Sequence, residues 1–131
     1  MVPKRQENQG GQRFPVSPPV FHILLALAAG DMHGYAIMHE VAILSDGQVT
    51  MGPGTLYGSI KKMLAGGLIE ESARRPDPRL DDERRRYYRI TDEGRRLLGA
   101  EAERLSRLVR VAESRRHLPR TRRVMGLGDA K

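Results

Sequence analysis

The segment GPGTLYGSIKKMLAGGLIEES, Gly52–Ser72, changes its hydrophobic period part way along, and that change decides how the chain is read. Over its first half Leu56, Ile60, Met63 and Leu64 recur at steps of three and four, which gathers them on one stripe of an α-helix. Pro53 suits the opening turn, where its set φ and missing N–H do no harm, and Gly66-Gly67 supplies the stop. Past the glycines, Leu68–Arg74 reads as a strand that pairs with Arg84–Ile90, the β-branched and aromatic residues being Ile69, Tyr87, Tyr88 and Ile90. The stretch RPDPRLDDE (75–83) between them is too rich in proline and charge to prolong either strand. A hairpin with a long exposed loop is predicted.

Upstream, Ser17 is a suitable N-cap with Pro18 at the first helical position, and VFHILLALAA (20–29) is apolar almost all round, as a largely buried helix requires. Gly30 ends that helix, and Asp31 is the expected cap of the next, HGYAIMHEVAILS (33–45). Its apolar positions Ile37, Met38, Val41 and Leu44 fall at helical spacing, Ser45-Asp46-Gly47 breaks it, and Gln48–Met51 is read as a short strand. Downstream, Thr91 caps a final helix that runs to about His117, with Asp92 and Glu93 at the positive end of its dipole. The expected fold is mostly α with a small β-hairpin: a winged helix-turn-helix domain over 18–90 and a long C-terminal dimerisation helix over 91–117. A mobile arm (1–17) precedes them and a flexible basic tail (118–131) follows.

Composition narrows the functions. The 131 residues carry a formal net charge of +7, which favours an acidic partner such as nucleic acid. There is no cysteine, so disulfides and thiolate metal sites are excluded. No apolar run reaches the roughly 20 residues of a spanning helix, and no signal-peptide pattern opens the chain, so no membrane partner and a cytoplasmic location are expected.

The order of elements suits the major groove of B-DNA, which admits one helix provided that helix is held to a scaffold by its other face. In the 53–65 helix the apolar stripe is the held face. Pro53, Gly54, Thr55, Tyr57, Gly58, Ser59, Lys61 and Lys62 are the candidate DNA-binding residues, with Gly54 and Gly58 permitting close backbone approach. Lysines on an ordinary solvated helix face are the competing reading. In the 74–86 wing, Arg84, Arg85 and Arg86 are the candidates, since a guanidinium suits phosphate and a narrow minor groove. Between Arg74 and Arg89 seven arginines stand against four acids, Asp77, Asp81, Asp82 and Glu83, so an internal salt-bridge network competes here. Strand alternation sends Arg85 to the face opposite Arg84 and Arg86. Of the four tyrosines, Tyr57 is read as the DNA contact, whereas Tyr35 and one of Tyr87 and Tyr88 are read as packing residues. On the final helix Leu98, Ala102, Leu105, Val109 and Ala112 step by four and three in a heptad-like seam, widened by Leu97, Leu108 and Val111. Such a face is expected to join two copies as a homodimer, and folding back onto the first helix is the alternative.

The segments HGYAIMHEV, GPGTLYGSIKKMLAGGLIEES and RRRYYRITDEGRRLL, in this order and spacing over Phe21–Leu98, closely resemble PadR-like transcriptional regulators. The resemblance implies a winged-helix DNA-binding domain followed by a C-terminal dimerisation helix. It also implies a repressor released from its operator by a small-molecule inducer or another signal. On this resemblance Pro53-Gly54-Thr55-Leu56-Tyr57 opens the recognition helix and Arg85–Tyr88 lie on the second wing strand. The chain looks like the short form with one C-terminal helix, and it has no tryptophan.

An enzyme is not expected. His22, His33, His39 and His117 offer no i, i+4 ligand pair, and no HExxH, GxSxG, Walker A or Rossmann glycine pattern occurs. No cofactor or metal is expected. A winged-helix module that binds protein or RNA, without recognising a pseudo-palindromic operator, is the alternative to the DNA-binding regulator.

Overall fold

The computed structural model describes residues 15–73, 78–79 and 86–116. Arg84 and Arg85, most of the loop between the wing strands, nearly all of the expected arm and the whole of the expected tail lie outside the described residues. The chain forms two compact units, Met1–Gly99 and Ala100–Lys131. In the first, α1 (Pro18–Ala28) leads to β1 (Met32–His33), α2 (Gly34–Leu44), α3 (Pro53–Ala65), β2 (Ile69–Glu71) and β3 (Tyr87–Ile90). The last helix, α4 (Asp92–Arg116), begins in the first unit, and its residues from Ala100 belong to the second.

Local chemistry sets these bounds. The Ser17 hydroxyl accepts from the Val20 N–H, with Pro18 opening α1 as the sequence predicts. α3 ends at Gly66, and Gly67 takes a φ of +77°, which only a residue without Cβ adopts at no steric cost. At the head of α4 the Thr91 hydroxyl accepts from the Gly94 N–H at 3.0 Å, and it lies within donating distance of the Gly67 and Leu68 carbonyls. One side chain therefore caps the helix and ties it to the end of α3.

Two local expectations are corrected. His33, not Asp31, caps α2: its Nδ1 accepts from the Ala36 N–H at 3.2 Å, while the Asp31 carboxylate takes the Ser72 hydroxyl at 2.6 Å. The cap falls two residues later than expected because β1 occupies Met32–His33. Gln48–Met51 is not a strand, since the Val49 N–H is already given to the Ser45 hydroxyl at 2.9 Å and is lost to a ladder. The third strand is instead β1, which pairs with β3 through Met32 opposite Tyr88 and His33 opposite Tyr87. On the other side β2 pairs with β3, Ile69 opposite Ile90 and Glu71 opposite Tyr88, in the strand order β1-β3-β2. Both wing strands are shorter than the sequence suggests.

The core of this unit brings Ile23, Leu24 and Leu27 of α1 against Ile37 and Val41 of α2 and Leu56, Ile60 and Met63 of α3. Ile69, Tyr88, Ile90 and Leu97 close it from the sheet and from α4. Each such aliphatic side chain stabilises the fold by about 1.5–3 kcal/mol on burial. Leu44, expected on the buried stripe of α2, is 46% exposed because the helix ends there and turns away. Leu97, expected in the dimer seam, is 3% exposed and belongs to this core, with Leu98 packed partly against it. Gly94 explains how α4 comes so close: a Cβ there would collide with the Leu68 carbonyl and stand 2.8 Å from the Ile90 side chain. The first turns of α4 are thus structural parts of the winged-helix body, in the compact unit that runs to Gly99.

In the second unit α4 carries a buried carboxylate clamp. Glu101, 2% exposed, accepts from Nε and from an Nη of Arg104 at 2.8 and 2.7 Å. That side-chain bond pushes the Arg104 guanidinium further above its ordinary pKa. Leu108, Val109 and Val111 of the same helix are exposed, and Leu105 is half-buried.

Candidate nucleic-acid interface

α3 is divided lengthwise. Leu56, Ile60 and Met63 face the core, whereas Pro53, Gly54, Thr55, Gly58, Lys61 and Lys62 are exposed. The 3.6-residue period puts Gly54 and Gly58 one above the other, with Lys61 and Lys62 on the next turn of the same side. Ser59 sits half-buried at the edge of this face. The helix is therefore anchored on one side and presents hydroxyl, bare backbone and two cations on the other.

Tyr57 stands apart from that face. Its ring lies against the backbone of Gly34 at the start of α2, where a Cβ would collide with the phenol oxygen and stand 2.8 Å from its carbon. The hydroxyl is buried. The phenol, expected from the sequence to meet DNA, turns inward, because Gly34 leaves a notch that the ring fills. Tyr35, read as a packing residue, is 46% exposed, since its neighbour Gly34 already faces α3. Tyr88 is buried in the core and Tyr87 is half-buried, its ring edge-on to His33 with centroids 5.2 Å apart. Alternation along β3 separates the pair as the strand reading requires.

The wing strands carry charge on their outer side. Arg86 is exposed and lies 3.8 Å from the Glu71 carboxylate, and Arg89 donates to Glu70 at 2.8 Å. All four side chains are about half exposed, so each pair contributes at most about 1 kcal/mol and exchanges readily with water or another anion. Sequence proximity sets Asp77, Asp81, Asp82 and Glu83 against the wing arginines. Those four acids lie outside the described residues; among the described residues the partners across the hairpin are Glu70 and Glu71, in keeping with the β2–β3 register. Residues 31–34 draw the parts together: Asp31 bonds to Ser72, His33 meets Tyr87, and Gly34 receives Tyr57.

Among the described residues no group of His, Cys, Asp and Glu is placed to hold a metal ion. No helix among them is long and apolar enough to cross a membrane.

Three helices, a three-stranded sheet ending in a hairpin and a long following helix define a winged helix-turn-helix protein. The chain belongs to the transcriptional regulator PadR-like family, whose model matches residues 23–100. It is 38% identical over 93 residues to an uncharacterized 37.1 kDa protein in transposon TN4556 of Streptomyces fradiae, a match that covers 70% of this chain. The same match covers 24% of that protein, so the chain spans about a quarter of the length of this curated relative. Among solved structures, a transcriptional regulator from Clostridium thermocellum superposes with a TM-score of 0.60 at 26% identity, over 76% of this chain and 96% of that one. A PadR family transcription regulator from Clostridium difficile gives a TM-score of 0.59 at 22% identity, over 76% and 97% of the two chains, a likeness of fold.

The inward phenol makes a direct prediction. Tyr57→Ala lowers stability by about 2 kcal/mol or more, as emptying a site filled by an aromatic ring does. Tyr35→Ala stays within about 0.5 kcal/mol of the parent, as an exposed position should. Urea denaturation midpoints of the two variants check the order, and an equal loss in both would place Tyr57 outside the helix-turn-helix contact.

Proposed function

We propose that this chain is a DNA-binding transcriptional regulator that acts as a homodimeric repressor on a pseudo-palindromic operator. The observation that carries this reading is the lengthwise division of α3, core on one side and Thr55, Lys61 and Lys62 exposed on the other. Membership of a transcriptional-regulator family and a net charge of +7 agree with it. In this reading α3 lies in the major groove with its N-terminal half toward the base edges. Pro53, Gly54 and Gly58 let its backbone come close, Thr55 and Ser59 offer hydroxyls, and Lys61 and Lys62 meet phosphates. Tyr57 is a positioning residue that seats α3 against α2. The wing brings Arg86, and with it Arg84 and Arg85, to the neighbouring minor groove, where phosphate displaces the exposed Glu71 carboxylate.

The dimer is proposed to form through α4. Leu108, Val109 and Val111 are 45, 45 and 39% exposed, large apolar side chains on one helix for which a second copy would provide burial. Ala102, Leu105 and Ala112 continue that seam, and Leu97 is no longer part of it. A two-fold pair of α3 helices would then meet two half-sites. Release by a small-molecule inducer, a cytoplasmic location and the absence of enzymatic activity belong to the same reading.

Selection of bound duplexes from a random library tests the function as a whole: one enriched sequence with two-fold symmetry is expected, and no enrichment over the input would refute operator recognition. On the selected duplex, Lys61→Glu with Lys62→Glu weakens binding and flattens the log–log salt dependence by roughly two units, about 0.9 for each phosphate that the protein no longer neutralises. The same weakening appears on random duplex, because lysine–phosphate attraction carries no sequence. Unchanged affinity at physiological salt would remove α3 as the docking element. Leu105→Asp with Val109→Asp is expected to sediment as a folded monomer and to bind the operator about 10²-fold more weakly, the usual scale of a broken bivalent link. A variant that remains dimeric would move the interface off α4.

A further inference from the structure

Several glycines of the winged-helix unit have a reason inside the molecule. Gly34 makes room for the Tyr57 ring, Gly94 for the Leu68 carbonyl and Ile90, and Gly67 holds a φ of +77°. Gly58 has none of these. It lies inside α3, is exposed, and has ordinary helical backbone, and a Cβ built on it meets nothing within 4 Å. Alanine there would stiffen the unfolded chain and favour the helix, so glycine makes α3 less stable with no packing return. Among the described residues nothing supplies that return, and Gly54, one turn earlier on the same exposed side, shares the pattern.

The setting of Gly58 indicates what approaches. Lys61 and Lys62 follow Gly58 by three and four residues, so helical periodicity places one cation on either side of a line drawn through Gly58 parallel to the helix axis. Phosphates form the walls of the major groove and base edges its floor. A helix whose flanking cations meet the two walls turns the strip between them toward the floor. Gly58 is the middle of that strip.

We propose, resting on the reading of α3 as the groove-binding helix, that Gly58 is a specificity-determining residue that sets how deeply α3 seats. Its missing side chain admits the base edges of the operator to van der Waals contact with the helix backbone, and a single Cβ lifts the helix off them. The contact is steric and uncharged. It therefore acts on sequence preference rather than on the electrostatic part of binding.

Gly58→Ala separates this from a structural role, because stability and binding move in opposite directions. The melting temperature rises, by about 2–5 °C for a domain of this size. Affinity for the duplex recovered by selection falls by about tenfold or more, the scale of one mismatched base pair. The salt slope stays at the parent value, since the lysines still meet their phosphates, and affinity for random-sequence duplex changes little. Gly58→Ala binding the selected duplex as tightly as the parent, while Lys61→Glu with Lys62→Glu still binds it more weakly, would overturn the role of Gly58 and leave α3 in the groove. Unaltered binding in both variants would overturn the groove reading itself. A flattened salt slope in Gly58→Ala would show displaced lysine–phosphate pairs and contradict the steric account.

Discussion

Tyr57 rests its ring on the bare backbone of Gly34, and the helix-turn-helix is organised around that contact. A recognition helix must be fixed by one face and free on the other, and a helix anchored only by aliphatic side chains is free to rotate slightly about its own axis. An aromatic ring set in a notch one residue wide opposes that rotation. The adjacent residues extend the same junction to the wing, through the His33 ring against Tyr87 and the Asp31 carboxylate on Ser72. Four consecutive residues, Asp31 to Gly34, thus join α2, α3 and the root of the hairpin. The two elements proposed to touch DNA share one mount.

The charges on the wing strands are only loosely committed to one another. Glu70 and Glu71 sit across from Arg89 and Arg86, and all four are about half exposed. Such pairs contribute about 0–1 kcal/mol, and a phosphate can take the arginine at small cost. Buried acids behave differently. Glu101, on α4, is buried and held to Arg104 by two short bonds, so breaking that pair would cost far more than breaking one on the wing.

How much of this is legible in the sequence depends on the range of the interaction concerned. The α1 cap, the stripe of α3, the Gly66-Gly67 stop and the Thr91 cap are settled within four residues, and each follows from local chemistry. The misreadings come from contacts far apart in the chain. Asp31 has the side chain of a helix cap, but Ser72, 41 residues on, takes its carboxylate. Tyr57 turns inward and Tyr35 outward because a notch at Gly34 can be recognised only once α3 is laid across it. Leu97 fits a heptad as well as Leu98 does, and only the passage of α4 over Leu68 and Ile90 at Gly94 assigns it to the core. Periodicity identifies a helix face as apolar without naming what covers it.

In the proposed complex α3 enters the major groove while the wing reaches the minor groove beside it. Dimethyl sulfate reports both at once on a duplex recovered by selection, since it methylates guanine N7 in the major groove and adenine N3 in the minor groove. The bound protein is expected to protect guanine N7 in two patches about one helical turn apart, related by the two-fold of the site, with adenine N3 protected beside each patch. Guanine N7 reacting across the whole bound duplex as fast as in free DNA would contradict it.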